Sequence, residues 1–259
     1  MAEVIIVRDQ EEAGSVAAAL IVSQLQRKPD SVLGLATGST PLSTYAALAR
    51  VVRELGLDVS QVRGFALDEY LGVPPEHPQS YRSVITDEVV EPLGLTASLV
   101  STPRGTGPDL ELAGDEYESA ILAAGGIDIQ ILGIGTNGHV GFNEPGSSLA
   151  STTRIKSLAA QTRADNARFF DSLSDVPTHC ITQGLGTIQR SRHVVLLAFG
   201  AAKAPAIAAA LEGPVSSSVP GSIVQLHPRA TVIVDEGAAS LLEHADYHRL
   251  ARAGVRGLR

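Results

Sequence analysis

The chain has no tryptophan, one methionine and one cysteine in 259 residues, and aromatic residues make up only 4% of it. A lone Cys180 permits no internal disulfide and fits a reducing cytosol better than a disulfide-braced scaffold. Positive charge is also in short supply. Lys plus Arg number 20 against 28 Asp plus Glu, a formal net charge of −8 that argues against sequence-blind binding to nucleic acid or anionic membrane. Long apolar runs are missing. Val4–Val7 gives way at once to Arg8, Asp9, Glu11 and Glu12, too short and too charged for a signal segment. Val194–Phe199 falls far below the roughly 18 residues that span a bilayer. The expectation is a soluble, cytoplasmic protein with neither a nucleic-acid nor a membrane partner.

What is present is ordinary for a globular chain: 44% hydrophobic and 19% charged residues. At about 150 residues per domain the length allows one large domain or two small ones. No repeat, low-complexity tract or convincing boundary divides it, so a single domain over residues 1–259 is expected. Short β-branched runs alternate with Ala- and Leu-rich segments of helical period, the pattern of βα units around a mainly parallel sheet. Strands are predicted at Val4–Val7, Val32–Leu35, Arg63–Ala66, Ile127–Leu132, His193–Ala198 and Thr231–Val234, with an apolar density that suits cover on both faces.

Helix starts are predicted after Asp9, with Glu12 completing a capping box, and at Pro41, with Thr40 as N-cap. Further helices are expected over Ser80–Val90, Asp109–Ala124, Lys203–Glu212 and Glu236–His244, with a proline-rich surface loop from Leu71 to Gln79. The stretch Ser151–Gly186 has weak strand signals and reads as a helical, lid-like excursion over the sheet's edge. The fold class is therefore α/β, a doubly wound, mainly parallel sheet.

Three stretches carry chemistry. Ala36-Thr37-Gly38-Ser39-Thr40-Pro41 joins a buried strand to a helix start, where a glycine, hydroxyls and free backbone N–H groups favour an anion. It lacks the Gly-Lys-Ser/Thr ending of a nucleotide P-loop, so a sugar phosphate suits it better. Leu67-Asp68-Glu69-Tyr70 follows a strand directly, at the end where parallel sheets bind ligands. Neighbouring side chains there point opposite ways, so one carboxylate faces the pocket and the other is structural.

The third stretch, Gly133 to Pro145, opens as Gly-x-Gly-x-x-Gly, but Gly141, Pro145 and Gly146 break the helix that dinucleotide binding requires. What remains is a tight loop with His139 and Glu144 five residues apart, suited to general acid/base work. Arg168 and Lys203 read as isolated cations. His244 and His248 have i, i+4 spacing without a third ligand, so no metal site is expected.

Together these stretches, with Arg154-Ile155-Lys156 and Leu226-His227-Pro228 behind them, closely resemble the glucosamine-6-phosphate deaminase family, in order over nearly the whole chain. The resemblance implies isomerisation coupled to deamination, converting glucosamine 6-phosphate and water to fructose 6-phosphate and ammonia. Asp68 then matches the base that removes the C2 proton, with Glu69 its structural neighbour. His139 matches the ring-opening residue, oriented by Glu144. Asn137 stands where some members carry aspartate; an amide orients His139 but accepts no proton. Phosphate contacts carry over to Gly38, Ser39, Thr40, Arg168 and Lys203. No metal, nicotinamide or pyridoxal cofactor is implied, because the opened aldehyde itself makes the C2 proton acidic.

Two alternatives share the architecture: 6-phosphogluconolactonase-like hydrolases, from whose pattern Gly141–Pro145 departs, and sugar-phosphate-sensing domains, which follow a DNA-binding domain, whereas this chain opens on a strand. Some deaminases are activated by N-acetylglucosamine 6-phosphate at a subunit interface, and Ser147, Ser148, Arg154 and Lys156 match residues used there. The N-terminus differs, and Arg249 stands where the family's tyrosine is expected, with Tyr247 displaced. The resemblance thus implies little or no activation, since coupling needs different contacts in two states. Family members range from monomers to hexamers, which leaves a homo-oligomer open.

Overall fold

The computed structural model describes residues 2–170 and 172–256. Strand β1 (Glu3–Val7) leads into helix α1 (Gln10–Arg27), which Asp9 caps by accepting the Glu12 N–H at 2.8 Å. The reciprocal half of the expected capping box does not form. Glu12 instead takes the Arg8 backbone N–H and Nε at 3.1 and 3.0 Å, where a guanidinium offers charge as well as a donor. Ala13, Ala17, Ala18, Ile21 and Leu25 make the buried stripe.

Strand β2 (Val32–Leu35) precedes helix α2 (Leu42–Leu55), and here the N-cap is Pro41, with no side-chain cap bond, rather than Thr40. Thr40 instead lines the cleft, close enough to Gly133 that a Cβ added there would lie 3.8 Å from it. Tyr45, in the first turn of α2 and buried, reaches back to the loop: Ala36 N donates to its hydroxyl at 3.0 Å, and the hydroxyl donates to Ala36 O at 2.8 Å.

The chain continues through β3 (Arg63–Ala66), β4 (Asp68–Tyr70), α3 (Tyr81–Ile85), α4 (Glu91–Leu93), β5 (Val100–Ser101), α5 (Ala113–Ala123) and β6 (Ile129–Gly133). It ends with β7 (Arg154–Ser157), α6 (Ala160–Asn166), β8 (His179–Thr182), α7 (Leu185–Gln189), β9 (Val194–Ala198), α8 (Ala204–Leu211), β10 (Ala230–Asp235) and α9 (Ala245–Arg256). Seven strands form one parallel sheet in the order β1-β10-β9-β6-β2-β3-β5. Side chains alternate across it. Leu33 and Leu35 join α1 and α2 in the main core, whereas Val32 packs with Phe65, Ile127, Tyr117 and Ile121 in a smaller cluster on the other face. Among the described residues no helix is long and apolar enough to cross a membrane.

The helix expected over Ser80–Val90 starts as anticipated, with Ser80 Oγ accepting the Ser83 N–H, but becomes a π-helical turn at Thr86–Val90. Thr86 Oγ1 donates to Arg82 O at 2.8 Å and so competes with the helical ladder. No regular helix covers Glu236–His244. The Asp235 carboxylate closes one turn on Ala238 N and also takes Gly200 N, while Glu212 captures the Glu243 and His244 N–H groups just ahead of α9. The stretch Ser151–Gly186 is part helix and part sheet: β7 and β8 pair antiparallel with each other, and β8 with β4, as a second three-stranded sheet. The weak strand signal there reflects half-exposed β7 at the edge of that sheet, and β8, whose other partner β4 lies more than a hundred residues back.

Because Tyr45 holds both polar groups of Ala36, Tyr45→Phe leaves a buried N–H unpaired. Urea unfolding should show a loss of about 1–3 kcal/mol relative to the parent protein; equal stability would remove the hydroxyl from the account.

Candidate active site

Four neighbouring strands of the parallel sheet, β9, β6, β2 and β3, end at one edge, and the loops that leave them surround an open cleft of about 1000 Å³. From β2 comes the loop Ala36–Thr40, with Gly38 at φ 87°, a conformation that glycine adopts without strain. The 14-residue helix α2 begins behind it and directs the positive end of its dipole to the cleft. From β9 comes Lys203, and from the segment after α6 comes Arg168, its guanidinium 4.7 Å from the centre of the Phe169 ring. The expected phosphate contacts Gly38, Ser39, Thr40, Arg168 and Lys203 all line this one cleft.

From β3 comes the carboxylate pair. Leu67 N continues the parallel pairing to Leu35 O at 2.9 Å, after which β4 turns to pair with β8. Successive side chains then part. Glu69 turns away and accepts the N–H groups of Tyr70, Tyr81 and Arg82 at 2.8, 2.9 and 2.9 Å, securing the start of α3. Asp68 faces the cleft, 5% exposed, with Thr182 Oγ1 3.5 Å away. Burial, and then the charge of Glu69, push its carboxyl up to about 8. Tyr70, two residues on, shares that face; its hydroxyl accepts from Tyr81 at 3.2 Å and from Asn166 at 2.9 Å.

From β6 comes the loop that holds His139. Gly135 has no room for a side chain: an added Cβ would lie 2.2 Å from the imidazole. Asn137 Oδ1 accepts both the His139 backbone N–H at 3.1 Å and the ring Nδ1 at 2.7 Å. The backbone donor at one end and Glu144 at the other fix which end of the amide faces the ring, so Nδ1 is placed to carry the proton in neutral His139 and Nε2 to keep its lone pair. The amide's other end donates to Glu144 Oε2 at 2.8 Å, and that oxygen lies 3.7 Å from Nδ1. Glu144 Oε1 in turn accepts the hydroxyl of Thr162. Thr182 joins this loop to Asp68, since its hydroxyl also accepts the Phe142 N–H at 3.2 Å.

The residues matched to an effector site lie outside the cleft's lining. Ser147 is buried with its hydroxyl unpartnered, Ser148 sits in a turn whose carbonyl accepts from Ser151, and Lys156 is on β7. Arg154 donates to Asn143 Oδ1 at 2.7 Å, and Asn143 clamps the His139 loop to β8 through Val140 O and Gln183 O. Reading the sequence missed Thr162, Asn166, Tyr70 and Thr182. Tyr70 had a signal, two positions from Asp68 on a strand; the others are brought in by pairings too distant to read.

A profile of the family of glucosamine-6-phosphate isomerases and 6-phosphogluconolactonases matches residues 9–233. The chain belongs to that family. Among its relatives, the chain is 59% identical over 260 aligned positions to a glucosamine-6-phosphate deaminase of Bifidobacterium longum strain DJO10A, covering 97% of this chain and 96% of that one. The solved structure of a monomeric glucosamine-6-phosphate deaminase superposes with a TM-score of 0.90 at 40% identity, over 92% of this chain and 99% of the other. A 6-phosphogluconolactonase from Leishmania guyanensis shares the fold alone, with a TM-score of 0.72 at 22% identity over 92% and 97%.

The raised carboxyl of Asp68 has a consequence for stability. Between the ordinary carboxylate range and about 8 the folded state holds a proton that the unfolded state has released, so Asp68 weakens folding progressively as pH rises across that window. Asp68→Asn should therefore gain in Tm over the parent protein as pH goes from 4 to 9. A gap between the two melting curves that does not change with pH would show that Asp68 titrates normally.

Proposed function

We infer that the protein converts glucosamine 6-phosphate and water to fructose 6-phosphate and ammonia. The observation that carries this reading is the single cleft that combines an anion-binding loop with a buried carboxylate and a histidine whose Nδ1 lies 2.7 Å from Asn137 Oδ1. Anchoring the phosphate at the Gly38–Thr40 loop, Arg168 and Lys203 holds one end of the sugar, and positioning of this kind lowers the barrier by several kcal/mol. His139, with Nε2 able to accept a proton, is assigned the transfer that opens the pyranose ring, and Asn137 and Glu144 keep it in that tautomer.

Asp68 is assigned removal of the C2 proton of the opened aldehyde, giving an enediol-like intermediate whose C1 takes up a proton. The resulting C2 imine adds water and expels ammonia, so atoms balance with no external oxidant or reductant. The high proton affinity of Asp68 suits this assignment. C2 also bears the amino group, and an ammonium brought beside the carboxylate lowers its pKa, releasing the base when an amino sugar binds. A sugar phosphate is retained by membranes, which supports a cytoplasmic place of action.

Release of both ammonia and fructose 6-phosphate from glucosamine 6-phosphate tests the reading; lactone hydrolysis without deamination would overturn it. Asp68→Asn should lower kcat at least about 10²-fold, and near-normal solvent-proton exchange at C2 in that variant would remove Asp68 as the base. Lys203→Ala and Arg168→Ala should chiefly raise KM, each removing a contact worth about 1.5–3 kcal/mol. Unchanged KM in both would move the phosphate elsewhere.

A further inference from the structure

Helix α6 contributes two side chains to the site that none of the roles above uses. Thr162 and Asn166 are four residues apart and so share one helical face. Thr162, 4% exposed, donates its hydroxyl to Glu144 Oε1, and Asn166 donates to the Tyr70 hydroxyl at 2.9 Å. One bond therefore ends on the carboxylate behind His139. The other ends on the strand that carries Asp68. Arg168, two residues beyond Asn166, lines the same cleft.

We propose that Thr162 is a positioning residue for His139, acting through Glu144 and Asn137; this rests on the deaminase reading above. Glu144 is 8% exposed, and its two oxygens are divided between Thr162 and the Asn137 amide. With Oε1 held by the hydroxyl, Oε2 is turned to Asn137 Nδ2, and Asn137 Oδ1 is turned to His139 Nδ1. Without the hydroxyl, a buried carboxylate oxygen lacks a partner, and the carboxylate turns in search of another donor, drawing Oε2 away from Asn137 Nδ2. The amide then has less reason to keep its oxygen on the imidazole. Thr162 thus biases the His139 tautomer through Glu144 and Asn137.

The test is Thr162→Val, which keeps the branched shape and removes the donor, with Thr162→Ser as rescue. In the full-length protein, the ring 15N shifts of His139, taken at a pH where the ring is neutral, should report the Nδ1–H tautomer in the parent. They should shift toward a tautomer mixture in Thr162→Val and return in Thr162→Ser. With glucosamine 6-phosphate, kcat should fall about tenfold or more in Thr162→Val while KM stays within about twofold, since small misplacements of an acid/base group act on the chemical step. Unchanged ring shifts in a folded Thr162→Val protein would overturn the proposal, as would a raised KM at normal kcat, the mark of a helix anchor alone. If the valine variant does not fold, Thr162→Ala gives the same readout. Absence of deaminase activity in the parent would count against the functional reading; the ring shifts would still decide the role of Thr162.

Discussion

Parallel pairing with matched register is the constraint from which the rest of this structure follows. With β9, β6, β2 and β3 adjacent and all running one way, their C-terminal ends lie in a row. Loops separated by well over a hundred residues then emerge side by side. An antiparallel neighbour at any of these positions would send its loop to the opposite edge of the sheet. The same geometry buries the strands on both faces, which is why β2 and β9 carry no polar side chain and β10 only Thr231 and the terminal Asp235.

Within that frame the cleft is divided electrostatically. Helix α2, the Gly38–Thr40 loop, Arg168 and Lys203 collect positive potential, while Asp68 and Glu144 are carboxylates in poorly solvated positions. The chain is acidic overall, so the attraction for an anion is local, from donors gathered at loop and helix ends. Asp68 and Glu69 show how position divides two identical charges. Glu69 has three backbone N–H partners and holds a helix start. Burial raises both carboxyls, Asp68 the further because it has no such shell, and its reluctance to ionise is a stability cost that the surrounding core offsets.

The acid/base loop relies on neutral groups where a charge would have been simpler. Asn137 passes orientation from Glu144 to His139 without passing a proton, and its amide has one arrangement because Glu144 Oε2 holds one end and the His139 backbone N–H the other. Precision of this kind comes from a chain of contacts, Thr162 to Glu144 to Asn137 to His139, that joins the segment over the cleft to the loop beneath it.

Much was legible from local patterns. The bounds of β2 and β3 follow from their apolar runs, the Asp9 cap from its spacing, and the cleft-facing loops from glycines and carboxylates placed directly after strands. Division of labour between Asp68 and Glu69 followed from the period of a strand, although which residue faced inward did not. What could not be read locally was set by partners distant in sequence. Asp235 and Glu212 replaced a helix over 236–244 with a turn and a cap, and β4 exists only because β8 returns to pair with it. The sequence by itself determined most strands of the parallel sheet, the first two helices and which residue types reach the cleft, because those depend on period and on neighbours in the chain. Only the tertiary structure decided which hydroxyl holds Glu144, which nitrogen of His139 carries the proton and how high the Asp68 carboxyl titrates, because each depends on burial and on donors delivered by elements far apart along the chain.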